Sequence, residues 1–114
     1  MFDSVTSVAL QSALDGLSLR QRTIANNIAN INTPNYHAEK VRFEDALADS
    51  IMHGDGHAAA TTSRSLEPTN TIGNNVNLDQ ETLSNIDTVL RYQCATQAVG
   101  GEATAVRTAM RTNS

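Results

Sequence analysis

Two amphipathic stretches, one near each end of the chain, dominate its pattern of hydrophobic and polar residues. In the first stretch, large apolar residues recur in alternating steps of four and three, with only Gln21 interrupting the repeat. Such a repeat keeps one narrow apolar stripe facing a partner helix. The stripe consists of Leu10, Leu14, Leu17, Ile24, Ile28 and Ile31. The pattern predicts a helix over residues 1–32 that ends before Pro34, because a proline disfavours the α conformation in the residue preceding it.

The second stretch begins with the start signals of a helix. Asn77 is a good N-cap, and Asp79 and Glu81 place negative charge in the first turn, where the helix dipole favours it. We expect this helix to run to about Arg111. Its apolar stripe begins with Leu83, Ile86 and Leu90 and, after a change of register, includes Val99, Val106 and Met110.

Between the two stretches, the pattern changes twice. Val41 and Phe43 alternate with charged residues, which predicts a short extended segment. Phe43, Leu47 and Ile51 then fall on one face of a predicted short helix. Residues 52–72 are rich in Gly, Ala, Thr and Ser and poor in large apolar residues, and we expect them to form a mobile loop.

Two long helices around a middle segment predict an all-α fold in which the terminal helices form an antiparallel coiled-coil hairpin with an extended, flexible middle. We divide the single structural domain into an N-terminal coiled-coil helix with its turn (1–33), an arm and loop (34–76), and a C-terminal coiled-coil helix (77–114). We expect the termini to be partly disordered in the monomer, since thin stripes on long helices leave them short of partners.

The composition limits the size of the core and the classes of partner that the chain can bind. Aromatic residues make up 4% of the chain and tryptophan is absent, so the core should be thin. Either the chain gains stability by lying against copies or partners, or it is a marginal helical domain. The net charge of -4 with Lys40 as the only lysine argues against nucleic-acid binding. We interpret Arg20 with Arg22 as part of a solvated helix face.

The sequence offers no constellation for catalysis or ligand binding. Cys94 is the single cysteine, so it can form no internal disulfide. His53, Asp55 and His57 are close in sequence, but the glycines around them favour a flexible polar loop over a metal site. We therefore expect no enzyme activity, no cofactor, no metal and no small-molecule substrate. No apolar run is long enough to span a bilayer, and the N-terminus lacks the features of a cleaved signal peptide.

The polar block after the first stripe resembles a signature of the flagellar basal-body rod and hook proteins. It contains Asn-Ile-Ala-Asn at residues 27–30 and Asn-Thr-Pro at 32–34, followed by Tyr36. Asn35 stands where the family usually has glycine, and asparagine tolerates the left-handed conformation that such a turn needs. The turn motif is therefore expected to consist of Asn30, Asn32, Thr33, Pro34 and Tyr36.

A second motif, Gly-Asn-Asn-Val-Asn-Leu-Asp-Gln-Glu at residues 73–81 with Leu-Arg-Tyr-Gln at 90–93, resembles the B-type proximal rod subunits more than the C-type. This resemblance implies a structural subunit that is exported by the flagellar type III apparatus without a cleaved signal and assembles in the periplasm into the torque-transmitting rod. Its implied partners are other rod subunits, the adaptor FliE and the membrane-ring or export-gate side of the basal body, and the two stripes are the expected assembly interface. The alternatives are a C-type proximal rod subunit and a stand-alone helical-hairpin adaptor.

Overall fold

A computed structural model describes the backbone of residues 4–112 and the side chains of residues 5–101. Helices occupy both ends of this range, and two short strands flank a short helix between them. The elements are α1 (Ser4–Ala29), β1 (Glu39–Arg42), α2 (Glu44–Met52), β2 (Thr61–Arg64) and α3 (Leu78–Thr112). The molecule is elongated, with extents of 68 × 26 × 14 Å. The mostly helical prediction is confirmed, whereas the all-α class is wrong because the middle contains a small sheet.

The first helix ends at Ala29, three residues before the predicted end. The Asn30 side chain donates a hydrogen bond to the Asn26 carbonyl at 2.8 Å, and the Thr33 amide bonds to the Asn30 carbonyl at 3.0 Å. Asparagine competes in this way with regular helix hydrogen bonding, so the helix gives way to a turn before the proline is reached. The first three residues of the predicted helix, 1–3, lie outside the described residues.

The last helix begins as predicted. The Asn77 side-chain oxygen accepts a hydrogen bond from the Gln80 amide at 3.2 Å, which satisfies one of the free donors at the helix start. Asp79 and Glu81 lie in the first turn. The helix continues through Gly100 and Gly101 to Thr112.

The two long helices pack against each other in opposite directions. The Asn27 side chain near the end of α1 bonds to Glu81 at the start of α3, whereas Arg20 and Arg91, each farther from that end, both reach Glu44. The predicted antiparallel hairpin is therefore present. Polar residues take part in this packing: Thr23 of α1 and Glu81 of α3 line the same crevice, and Thr88 of α3 is fully buried.

The middle segment folds onto α1. β1 and β2 pair antiparallel, with Val41 opposite Thr62, so the prediction of a mobile loop over residues 52–72 is wrong for the part that forms β2. The threonines of Thr61–Arg64 suit a strand, but that segment lacks the large apolar alternation on which the prediction relied. The predicted short extended segment and short helix correspond to β1 and α2.

A small apolar core lies where α1, β1 and the start of α2 meet. Leu17, Val41 and Phe43 are buried there, and Leu47 packs against them. Gly16 makes this packing possible, because a Cβ at that position would lie 2.5 to 2.8 Å from three atoms of the Phe43 ring. The glycine that weakens α1 as a helix therefore has a specific packing role.

Candidate functional site: an asparagine junction and an exposed ridge

Buried asparagines connect the end of α1 to the rest of the fold. We define the asparagine junction as Asn27, Asn74 and Asn75, which are 1%, 1% and 9% exposed. Asn27 donates to the Glu39 carbonyl at 2.9 Å and to the Glu81 carboxylate at 3.2 Å. Its side-chain oxygen accepts from the Glu39 amide at 3.0 Å and from the Tyr36 hydroxyl at 2.9 Å. One amide thus holds α1, β1 and α3 together.

Asn74 and Asn75 attach the turn after α1 and the segment before α3 to the rest of the fold. Asn74 donates to the carbonyls of Asn30 and Thr33 at 2.8 and 2.9 Å, which fixes the chain as it leaves α1. Asn75 accepts from the Ala38 amide at 2.6 Å and donates to the carbonyl of Ser65 at 3.1 Å. Because buried main-chain groups need partners, these two side chains replace secondary structure where the chain has none.

The turn after α1 uses the conformation expected of Asn35. Its φ angle is 61°, in the left-handed region, and its amide donates to the Ile72 carbonyl at 2.8 Å. Gly73 approaches so closely that a Cβ there would lie 2.5 Å from the Asn35 side-chain oxygen. Asn32, Thr33 and Pro34 are exposed. The middle of the predicted turn motif therefore lies on the surface, whereas Asn30 and Tyr36 at its ends are half-buried against the asparagine junction.

Burial raises the pKa of two acidic groups beside the asparagine junction. Burial raises the pKa of the Glu81 carboxyl, and the hydrogen bond from Asn27 and the charge of Lys40 oppose this change without cancelling it. Burial also raises the pKa of the Tyr36 hydroxyl, with the charge of Glu39 as the next cause. Tyr36 therefore remains a neutral hydrogen-bond donor to Asn27 at physiological pH.

Arg20 is a structural residue, and the interpretation of it as part of a solvated face is wrong. Its side chain is 15% exposed and forms an ion pair with Glu44, a second hydrogen bond to Glu44 at 2.9 Å and one to the Val41 carbonyl at 2.8 Å. The guanidinium also lies 5.0 Å from the centre of the Phe43 ring. The hydrogen bond from Arg20 lowers the pKa of the Glu44 carboxyl to about 2. Its partner is far away in sequence, so local pattern could not reveal this role.

The loop after α2 is attached to α1 by contacts that the sequence pattern did not indicate. The Ser12 hydroxyl, which is buried, donates to the Gly56 carbonyl at 3.1 Å. Gly56 has a φ of 83°, and a Cβ there would lie 2.8 Å from the Val5 carbonyl oxygen. Glycine is therefore needed where the loop meets the helix.

The predicted interface residues of α1 are divided between core and surface. Leu17 and Ile24 are buried at 3% and 5% exposure, so they support the fold of the chain itself. The remaining members, Leu10, Leu14, Ile28 and Ile31, are half-buried.

The predicted interface residues of α3 face away from α1. Leu83, Ile86 and Leu90 are 68%, 53% and 56% exposed. Cys94, also exposed, follows them at helical spacing. We call Leu83, Ile86, Leu90 and Cys94 the α3 ridge. Val99 is 40% exposed, and the side chains of Val106 and Met110 lie outside the described residues.

Within the described part of the chain, the structure offers little for small ligands. No group of three or more His, Cys, Asp or Glu side chains among the described residues is placed to hold a metal ion. None of the helices, as far as they are described, is both long and apolar enough to cross a membrane. The features that call for a functional explanation are the asparagine junction and the α3 ridge.

The known proteins to which this chain is similar are flagellar basal body rod proteins. Residues 9–37 match the family model described as "Flagella basal body rod protein". The flagellar basal body rod protein FlgB of Bacillus subtilis (strain 168) is 29% identical over 115 residues, which cover 89% of each chain. FlgB of Aeromonas hydrophila is 27% identical over 118 residues, again 89% of each chain. FlgB of Borreliella burgdorferi is 50% identical over 42 residues, which are 37% of this chain and 31% of that protein.

Proposed function

Because this chain is similar to flagellar basal body rod proteins named FlgB over most of its length, we propose that it is a structural subunit of the proximal part of the flagellar basal body rod. The relatives support a structural role in the rod, and the predicted resemblance is confirmed. The observation that carries the proposal is the similarity to FlgB proteins over 89% of the chain. The exposed α3 ridge supports it, since a contiguous apolar surface on a small protein marks an interaction site.

Assembly occurs through the long helices. The half-buried members of the α1 stripe and the α3 ridge are the surfaces that contact neighbouring subunits, whereas Leu17 and Ile24 hold the subunit together. The asparagine junction fixes the angle at which the two helices leave the turn, because its hydrogen bonds have defined directions. A drive shaft that transmits torque needs this kind of rigid connection.

The subunit assembles with other rod subunits, and the adaptor FliE and the membrane-ring or export-gate side of the basal body are its neighbours at the base. It reaches the periplasm through the flagellar type III apparatus without a cleaved signal. These partners and this route are supported by the resemblance of the polar block and the second motif to the rod proteins.

Purification of basal bodies from cells that produce a labelled copy of the chain tests the proposal. We expect the label in the purified rod and loss of swimming when the chain is deleted. A chain that stays in the cytosolic fraction, in cells that still swim without it, would instead be a helical-hairpin adaptor. Electron microscopy of the labelled basal bodies separates a B-type position in the rod from a C-type one.

A further inference from the structure

The sequence contains two Asp-Gly pairs, at residues 15–16 and 55–56. In such a pair, the main-chain nitrogen of the glycine can attack the side-chain carboxyl carbon of the aspartate, because glycine has no side chain to obstruct the approach. The attack closes a five-membered succinimide ring, and the amide proton leaves with the carboxyl hydroxyl group as water. Water then opens the ring, and opening at the main-chain carbonyl carbon gives isoaspartate. The backbone of isoaspartate runs through the former side chain and is one carbon atom longer.

The helix protects the pair in α1 from this reaction. Asp15 and Gly16 lie in the middle of Ser4–Ala29. An α-helix keeps ψ at about −42°, which separates the glycine nitrogen from the carboxyl carbon of the aspartate. The Gly16 amide also belongs to the helical hydrogen-bonding pattern, so its nitrogen is engaged. We therefore expect Asp15 to be stable in the folded chain.

The second pair lies in the loop after α2, outside any helix. Asp55 is exposed there. The amides of Asp55 and Gly56 both donate to the carbonyl oxygen of Ser50, at 3.0 and 3.4 Å. The distance of 3.4 Å is beyond the usual range, so the hydrogen bond of the Gly56 amide is weak. The nitrogen that would attack Asp55 is therefore held less firmly than the nitrogen of Gly16.

Contacts between this loop and α1 oppose ring closure. Closing the ring moves the peptide group between Asp55 and Gly56, because the nitrogen of that group becomes part of the ring. The Ser12 hydroxyl donates to the Gly56 carbonyl at 3.1 Å and accepts from the Ala58 amide at 3.4 Å. It therefore holds the chain directly after Asp55. Ring closure requires that the loop first leave Ser12, in a local opening of the folded chain.

The same contact keeps a glycine next to Asp55. Gly56 has a φ of 83°, and a Cβ there would lie 2.8 Å from the Val5 carbonyl oxygen. A side chain at residue 56, which would slow the attack, is therefore incompatible with the way the loop meets α1. The fold thus combines a reactive Asp-Gly pair with a hydroxyl group that restrains it.

We infer that Asp55 is a site of isoaspartate formation through ring closure onto Gly56, and that the contact with Ser12 controls the rate. This inference is independent of the proposed rod function. The product carries an extra backbone carbon directly before the Gly56 nitrogen, so the Gly56 carbonyl no longer meets the Ser12 hydroxyl as it did. A chain modified in this way loses the attachment of the loop to α1.

Storage of the purified full chain at neutral pH and physiological temperature for several weeks tests the inference. Asp-N endoprotease cleaves before aspartate and not before isoaspartate, and the two forms of a peptide have equal mass but separate in chromatography. We expect isoaspartate to accumulate at Asp55 and little of it at Asp15, which is the matched control within the same molecule. Absence of isoaspartate at Asp55, or equal amounts at the two sites, would overturn the inference.

Asp55→Glu provides a chemical control. It keeps the negative charge, but its side chain would have to close a six-membered ring, which forms much more slowly. Total isoaspartate, measured by enzymatic methylation of its free carboxylate, should fall in Asp55→Glu and stay unchanged in Asp15→Glu. A signal that persists in Asp55→Glu would contradict the assignment to Asp55.

Ser12→Ala tests the role of the hydroxyl group. Its loss is expected to increase the rate of isoaspartate formation at Asp55 roughly fivefold, the factor for one hydrogen bond of ordinary strength. Hydrogen exchange at the Ala58 amide should become faster as well, because that amide loses its acceptor. Ser84→Ala is the matched control, since Ser84 is an exposed serine of α3, and it should change neither rate. Equal rates of isoaspartate formation in the two variants, both shown to be folded by circular dichroism, would exclude control by Ser12.

Discussion

The Asn27 amide holds three elements because a primary amide has a donor end and an acceptor end. Its oxygen and nitrogen bond to the Glu39 amide and carbonyl, so it completes the edge of β1 as a neighbouring strand would. The remaining bonds reach Tyr36 and Glu81. A side chain that satisfies this many buried groups tolerates no substitution without leaving some of them unpaired.

Replacement of Asn27 is therefore expected to destabilise the fold. Asn27→Ala leaves the Glu39 amide and the Tyr36 hydroxyl without their partner, and we expect a loss of about 1–3 kcal/mol in the free energy of unfolding. Urea denaturation followed by circular dichroism measures this loss. The control is Asn32→Ala in the same polar block, where the side chain is exposed and little change is expected. Equal stability of the two variants would show that the junction does not support the fold.

At position 16 of α1, packing against a neighbouring side chain decides which residue the helix can hold. Alanine is the better helix former by about 1 kcal/mol. A methyl group at position 16, however, would overlap the buried Phe43 ring, and overpacking in a core costs about 1–3 kcal/mol. The tertiary contact therefore outweighs the helix preference.

Gly16→Ala is expected to lower the unfolding free energy by about 1 kcal/mol, the net of the two effects. Thermal unfolding of the isolated chain measures it. Gly101→Ala is the matched control, because nothing lies within 4 Å of a Cβ built there. That variant should be unchanged or more stable. A stabilised Gly16→Ala variant would contradict the packing role.

Glu44 connects α2 to both long helices. It bonds to Arg20 of α1, and one of its carboxylate oxygens lies 3.9 Å from Nη1 of Arg91 in α3. Its pKa falls to about 2 in the folded chain, below the ordinary value of 4.5. Because the pKa is lowered on folding, the Glu44 carboxylate stabilises the folded chain above pH 4.5, and this stabilisation is lost as the pH falls from 4.5 towards 2.

In Glu44→Gln, we expect a loss of about 1 kcal/mol at pH 7, a small value because the Glu44 side chain is 41% exposed and solvent screens the pair. The difference from the unmodified chain should vanish near pH 2. Unfolding curves recorded between pH 2 and 7 test this, with the exposed neighbour Asp45→Asn as control. A difference that stays constant over that range would exclude the ion pair as its cause.

Much of the helical framework was predictable, because α1 and α3 carry long apolar repeats and Asn77 carries a local start signal. The sheet was not, since β2 consists of Thr-Thr-Ser-Arg and has no buried side chain to mark it. Its position depends on pairing with β1, about twenty residues earlier. The same limit applies to Arg20, whose role depends on Glu44 and Phe43.

Only the part of the candidate site that depends on local chemistry could be predicted from the sequence, for a related reason. The left-handed Asn35 and the motif at residues 73–81 could be recognised from local turn chemistry. Helical spacing predicted an apolar stripe on α3, but spacing does not reveal which neighbour covers such a stripe. In the folded chain, α1 leaves the first part of the stripe exposed. Whether its residues contact other subunits remains a prediction.

As a whole, the molecule keeps its stability and its exposed apolar surface on different side chains. Phe43, Leu17 and Val41 form the core, whereas the α3 ridge is large, apolar and uncovered within the described chain. A rod subunit of the proposed kind, if built in this way, folds without using the surface that contacts its neighbours. Substitutions on the ridge should therefore affect assembly and leave folding intact.

Leu83→Asp is expected to abolish swimming and incorporation into basal bodies, while circular dichroism and the melting temperature of the isolated chain stay close to those of the unmodified chain. The reason is that a charge on the ridge would be buried unpaired only after assembly. Thr82→Asp, on an exposed neighbouring position, should still swim. A Leu83→Asp chain that unfolds would place Leu83 in the core instead.

The outer edge of β2 has one further consequence if copies of the chain are crowded together, as the proposed rod role requires. An open strand edge can recruit strands from other molecules and lead to aggregation. Here the neighbouring edge of β1 is covered by Asn27 and Arg20, and Thr61–Arg64 is short, polar and ends in a positive charge. The sheet therefore stops growing at its second strand, and crowded copies are left to recognise one another through their helices.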